Sequence, residues 1–113
     1  TTMNQAARAY QSAAARRDPR EQEADVFRRV TGGLRAAKRD PELRVRAVAD
    51  NMRLWLMVGD LLRDPGNALP APLRAGIVSV GHAVQRDMAQ AEPDLDFLIL
   101  VNESITAGLS GGA

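Results

Sequence analysis

Two acid-proline pairs, Asp18-Pro19-Arg20-Glu21 and Asp40-Pro41-Glu42, do most to limit what this chain can become, because each opens a stretch of helical spacing and stops what precedes it. At the first, Asp18 can cap, Pro19 loses no needed N–H at the first helical position, and Glu21 reaches back in a capping-box arrangement. Nothing alternates with period two for long, and alanine, leucine, arginine and glutamate dominate. The fold class that follows is all-α.

Divided at its proline and glycine signals, the chain reads as about five helices in a single-domain bundle spanning residues 1–109, with a flexible tail at 110–113. The first predicted helix, 3–17, is rich in alanine with Tyr10 as its large anchor, so it is expected to be held least firmly. The second starts at Pro19 and turns inward Phe27, Val30 or Thr31, Leu34 and Ala37. Its acids Glu21, Glu23 and Asp25 lie near the start and Arg35, Lys38 and Arg39 near the end, which complements the helix dipole. Gly32-Gly33 inside it costs up to about 1 kcal/mol per glycine relative to alanine, so either a neighbour packs closely there or the helix breaks. Close packing is the expectation.

The third predicted helix, from Pro41 to about Arg63, spreads Leu43, Ala47, Val48, Leu54, Trp55, Val58, Leu61 and Leu62 over a wide arc and leaves only Arg46, Asp50, Arg53, Met57 and Asp60 as an outer strip. A helix this apolar is expected at the centre of the bundle. Asn51 shares the apolar arc with Trp55, where a buried amide locks a neighbouring loop or helix end. After the loop Asp64-Pro65-Gly66-Asn67, the fourth helix, 71–91, aligns Leu73, Ile77, Val80, Val84 and Met88, with Gly76 and Gly81 open to another backbone. Pro93 ends it, and Asp94 caps the fifth, 95–109, whose inward face is Leu95, Leu98, Ile99, Asn102, Ile105 and Leu109.

The back of that last helix carries Phe97, Leu100, Val101 and Ser104 where a surface helix places charges, and only Asp96 and Glu103 form a polar edge. These four residues are the candidate partner-binding site. Three coverings are open: the first helix of the same chain, a second copy, or an amphipathic helix of a partner.

Composition narrows the function. At 113 residues the chain suits one domain, and without cysteine it has no disulfide or thiolate chemistry. With no signal peptide, a cytoplasmic location is expected, and no apolar run approaches the roughly 18 residues of a membrane span. His82 is the sole histidine, and Asp94-x-Asp96 lacks the glycine and distal glutamate of a calcium loop, so no metal is expected. Ser79 and His82 lie three apart but have no orienting acid or oxyanion hole, and no phosphate loop follows a strand. Neither an enzyme nor a cofactor is expected.

Residues 1–63 carry 13 Lys+Arg against 8 Asp+Glu, a net +5, whereas residues 64–113 carry 2 against 6, a net −4. Mutual attraction of the two halves is the favoured reading. The arginines at 8, 16, 17, 20, 28, 29, 35 and 39, with Lys38, are not interleaved with aromatics that would stack bases, and Asp25 stands at pairing distance from Arg28 or Arg29. Nucleic-acid binding is therefore disfavoured.

A set of spaced motifs runs through the chain: Ala9-Tyr10, Pro19-Arg20-Glu21-x-Glu23, Val26-Phe27-x-x-Val30-Thr31-x-x-Leu34, Asn51-x-x-Leu54-Trp55, Leu69-Pro70-x-x-Leu73-Arg74-x-x-Ile77 and Leu98-Ile99-x-x-Asn102-x-x-Ile105-x-x-Gly108-Leu109. In order and spacing this resembles the bacterial flagellar biosynthesis regulator family FlaF. The resemblance implies a non-enzymatic, cytoplasmic factor of flagellin production and filament assembly that binds flagellin as a chaperone or secretion factor. It also implies a functional link to FlbT, hence the alternative of a post-transcriptional regulator acting through FlbT or flagellin messenger RNA. A surplus apolar face suits a protein helix, whereas basic residues would suit RNA.

Overall fold

The computed structural model describes residues 19–111, which form four α-helices: α1 (Pro19–Arg39), α2 (Arg44–Arg63), α3 (Ala71–Met88) and α4 (Leu95–Gly111), with a 3-10 turn at Pro41–Leu43. The predicted helix at 3–17, with Tyr10, and the last residues of the tail lie outside the described residues.

Helix α1 is described from Pro19 onward, and the capping role read for Asp18 lies outside the described residues. It turns Ala24, Phe27, Thr31, Leu34 and Ala37 into the core and leaves Val30 half-buried. Thr31 is tolerated inside because its hydroxyl donates to the Phe27 carbonyl at 2.6 Å. The helix passes unbroken through Gly32-Gly33, and a Cβ built at either glycine would meet nothing within 4 Å. Close packing is thus the wrong explanation for this pair. Burial of Thr31 and Leu34 on either side holds the turn against the weak propensity of the glycines.

Asp40 caps the next segment, its Oδ1 accepting from Glu42 N at 3.1 Å, but the first turn is 3-10 and only from Arg44 is the helix α. A 3-10 turn advances three residues per turn, which rotates Leu43 off the predicted arc and leaves it 41% exposed. In α2 the buried set is Ala47, Asn51, Leu54, Trp55, Val58 and Leu62. Helix α3 stops at Met88, short of the predicted 91, because the chain must turn to deliver α4. That turn is tied by the Asp87 carboxylate, which accepts from Asp94 N at 3.0 Å, while Asp94 Oδ1 caps α4 by accepting from Phe97 N at 3.1 Å. Helix α4 extends to Gly111, into the predicted tail.

The closest backbone packing is between α1 and α4, with α2 lying on α1, α3 on α2, and α3 meeting α4 only lightly. Small side chains explain the first seam, where Thr31 of α1 faces Thr106 and Ala107 of α4 across a shallow crevice. Helix α2, expected at the centre, does reach the other three, but it reaches α4 through side chains alone. The ion pairs Arg35–Glu103 and Lys38–Asp96 join the basic first half to the acidic second half across the α1–α4 seam. Among the described residues no helix is long and apolar enough to cross a membrane.

Candidate functional site

The interior is organised by Trp55, which is 2% exposed. Its Nε1 donates to Asn102 Oδ1 at 3.0 Å, Asn102 Nδ2 donates to Asn51 Oδ1 at 2.7 Å, and Asn51 Nδ2 donates to Met88 Sδ at 3.3 Å. The indole also meets Phe27 edge-on, with ring centroids 6.0 Å apart, and a Cβ at Gly81 would lie 3.4 Å from it. Gly81 therefore admits a ring rather than the backbone expected there, whereas a Cβ at Gly76 would meet nothing within 4 Å. Both asparagines are fully buried, so this relay fastens α2 to α3 and α4 and offers nothing to a partner.

Beyond the relay, at the end of the bundle where α2 runs into α3, the connecting loop is held by its own polar side chains. Asp64 Oδ1 accepts from Gly66 N at 2.9 Å, an Asx turn. Asn67 bridges the loop, with Nδ2 donating to the Leu61 carbonyl at 2.9 Å and Oδ1 accepting from Leu69 N at 2.8 Å. From α3, Arg74 donates to the Asn67 carbonyl at 2.9 Å. This is the physical content of the Leu69-Pro70-x-x-Leu73-Arg74 spacing: it fixes the loop as a wall.

That wall closes one side of an apolar cleft of about 400 Å³, floored and flanked by Phe27 of α1, Met57 and Leu61 of α2, Leu69 of the loop, Ile77 of α3 and Ile105 of α4. Glu23 and Asp64 also line it, with Asp64 Oδ1 engaged by Gly66 N. Met57 is 39% and Leu61 38% exposed, so both offer methyl and methylene surface to whatever enters. The lining has the character of a seat for apolar side chains with a cationic or hydrogen-bonding neighbour. Among the described residues no group of three or more His, Asp or Glu side chains could hold a metal ion, and Ser79 and His82 are both exposed on α3.

Of the four residues proposed from sequence, Phe97 and Val101 are half-buried and pack against the core, whereas Leu100 is 62% exposed and Ser104 is exposed, its hydroxyl donating to the Leu100 carbonyl at 2.9 Å. Phe97, Val101 and Ile105 follow at four-residue intervals on one stripe of α4, and that stripe enters the cleft at Ile105. Leu100 and Ser104 belong to the adjacent outward strip. None of the four lines the cleft itself: Phe97 and Val101 lie on the stripe that reaches it at Ile105, and Leu100 and Ser104 stand on open surface.

Met57, Leu61 and the loop are the functional candidates that sequence reasoning missed. Met57 read as outer strip, Leu61 as core and residues 64–67 as a spacer. Of the adjacent pair Leu61-Leu62 only Leu62 is buried, a choice the sequence does not reveal, since the adjacent Leu54 and Trp55 of the same helix are both buried. Five basic residues among those described pair with carboxylates of the same chain: Arg28 with Asp25 at 2.6 Å, Arg53 with Asp50 at 2.7 Å, Arg63 with Asp60, and Arg35 and Lys38 with α4.

A family model described as flagellar protein FlaF matches residues 6–109. No curated protein and no solved structure matches the chain.

Proposed function

Since the chain belongs to the FlaF family of flagellar proteins, we propose that it is a non-enzymatic flagellin-binding factor, a chaperone or secretion aid that takes an amphipathic helix of flagellin into the cleft beside Leu61 and Ile105. The observation that carries this reading is the apolar cleft itself, walled by a hydrogen-bonded loop and reached by α4 at Ile105, on whose stripe Val101 and Phe97 also lie. Helix-in-groove recognition needs apolar seats at helical spacing in a concave, pre-formed surface, and flagellin is the partner that the family resemblance implies. Leu100 and Ser104 would border the bound helix on its outer side.

The competing reading is a regulator acting through FlbT or flagellin messenger RNA. Engagement of Arg28, Arg35, Lys38, Arg53 and Arg63 with carboxylates of the same chain speaks against the RNA form of it.

The test is binding of purified flagellin to the 113-residue chain, with and without nuclease, for the parent and for Leu61→Asp and Val101→Asp. A carboxylate buried against a partner helix without a counter-charge is costly, so each variant should weaken binding by tenfold or more while circular dichroism retains the helical signal. Unchanged binding by both folded variants would remove the cleft from consideration, and nuclease-sensitive capture would favour the RNA reading.

A further inference from the structure

We propose that Glu23 sets the chemistry of what the cleft accepts, and that the occupant is a partner helix carrying a lysine or arginine one turn from its apolar anchors. Glu23 lines the cleft from α1 and is half-buried. Among the described residues no ion pair or hydrogen bond engages its side chain. Asp25, on the same helix, differs, since Arg28 pairs with it at 2.6 Å. The cleft supplies no cation of its own, for no lysine, arginine or histidine is among its lining residues. Asp64, the other acid there, already has Oδ1 engaged by Gly66 N and serves the loop.

Filling such a cleft carries an electrostatic condition. A carboxylate that loses water without gaining a partner is costly, so a neutral or acidic helix laid against Glu23 forfeits affinity that a basic one keeps. A lysine or arginine meets the condition in two ways. Its charged head makes a charge-assisted hydrogen bond to the carboxylate, and its aliphatic stem rests on apolar lining such as Phe27 and Leu61. Spacing agrees with this occupant. Glu23 and Phe27 both line the cleft and stand one turn apart on α1, about 6 Å along its axis. Side chains at i and i+4 of an incoming helix have that same separation.

An acid near the start of a helix also complements the helix dipole, and that role alone predicts a small loss of stability on removal and no effect on which partner binds. Charge preference in the cleft separates the two roles. The inference rests on the reading of the cleft as the seat of a partner helix, and it holds whether or not that helix belongs to flagellin.

The probes are synthetic amphipathic helices with identical leucine anchors at i, i+3 and i+7 and with lysine, glutamine or glutamate at i+4. Each is titrated against the 113-residue chain and against Glu23→Gln, Glu23→Lys and Glu92→Lys. Glu92 is an exposed acid outside the cleft, so its variant matches the change in net charge. The parent and Glu92→Lys should bind the lysine helix at least tenfold more tightly than the glutamate helix. Glu23→Gln should abolish most of that preference and Glu23→Lys should invert it, with the helical circular dichroism signal retained. Should the lysine variant unfold, Glu23→Gln decides alone, since it keeps the shape of the side chain. A preference that survives Glu23→Gln, equal binding of all the probes by the parent, or binding of none overturns the proposal. Purified flagellin completes the test. A tenfold or greater loss of flagellin binding in Glu23→Lys supports both readings. Flagellin that fails to bind the parent, or binds parent and Glu23→Lys equally, overturns the flagellin reading alone, with the synthetic helices still deciding the role of Glu23.

Discussion

At the scale of single residues, the Trp55–Asn102–Asn51 relay concentrates the risk in this fold. Replacing Asn102 by leucine leaves the indole N–H and the Asn51 amide oxygen buried and without the partner each now has. At about 1–3 kcal/mol for each orphaned group, Asn102→Leu should lose roughly 2–5 kcal/mol of stability, visible as a lower urea midpoint. Adding Asn51→Leu removes one of the orphans, so the double variant should fall short of the summed single losses by about 0.5–3 kcal/mol. A strictly additive pair would mean that the asparagines do not act together. Trp55→Ala should cost about 3–5 kcal/mol and Trp55 emission should be blue-shifted in the native protein. The sequence made both asparagines and the indole legible as inward-facing, because helical spacing fixes which face a residue is on. It left their partnership hidden, since a hydrogen bond between positions 51 and 102 depends on how two helices are placed in space and has no local signature.

Elements were legible where chemistry punctuates the chain. The Asp40 and Asp94 caps act within one helical turn and marked where the chain turns into its next segment, whereas the end of α3 at Met88 is imposed by a link from Asp87 to Asp94 that only the folded turn creates. Gly32-Gly33 marks the limit of local reasoning, because a glycine pair signals either a close approach or mere tolerance. With open space beside both and a continuous helix through them, Gly32→Ala and Gly33→Ala should each stabilise the protein by about 0.5–1 kcal/mol and raise the melting temperature by a few degrees. A fall in stability would show a hidden neighbour. Gly81 gives the opposite result: alanine meets the Trp55 ring at ordinary contact distance, but the branched Gly81→Val should destabilise.

For the whole molecule, the uneven charge along the chain resolves into cross-links between α1 and α4. Arg35, Lys38 and their carboxylate partners keep about half or more of their side-chain surface in solvent, so each pair contributes at most about 1 kcal/mol. The bundle is accordingly expected to keep its unfolding midpoint nearly unchanged between low and moderate salt. Partner affinity should be equally flat if the apolar cleft is the docking site, while binding that collapses steeply as salt rises would point to phosphate contacts and to RNA. The cleft itself was not legible in the sequence, for its walls come from every described helix and from a loop whose shape depends on Asn67 and Arg74.

One consequence of the indole's position concerns how this protein comes apart. Trp55 belongs to α2 and touches Phe27 of α1, Gly81 of α3 and Asn102 of α4, so none of the other described helices can leave without uncovering the same ring. A bundle knotted at one point has no stable remnant to fall back on. Amide protons deep in the described helices should therefore exchange with deuterium at one shared rate set by global opening, rather than in a graded series from helix to helix.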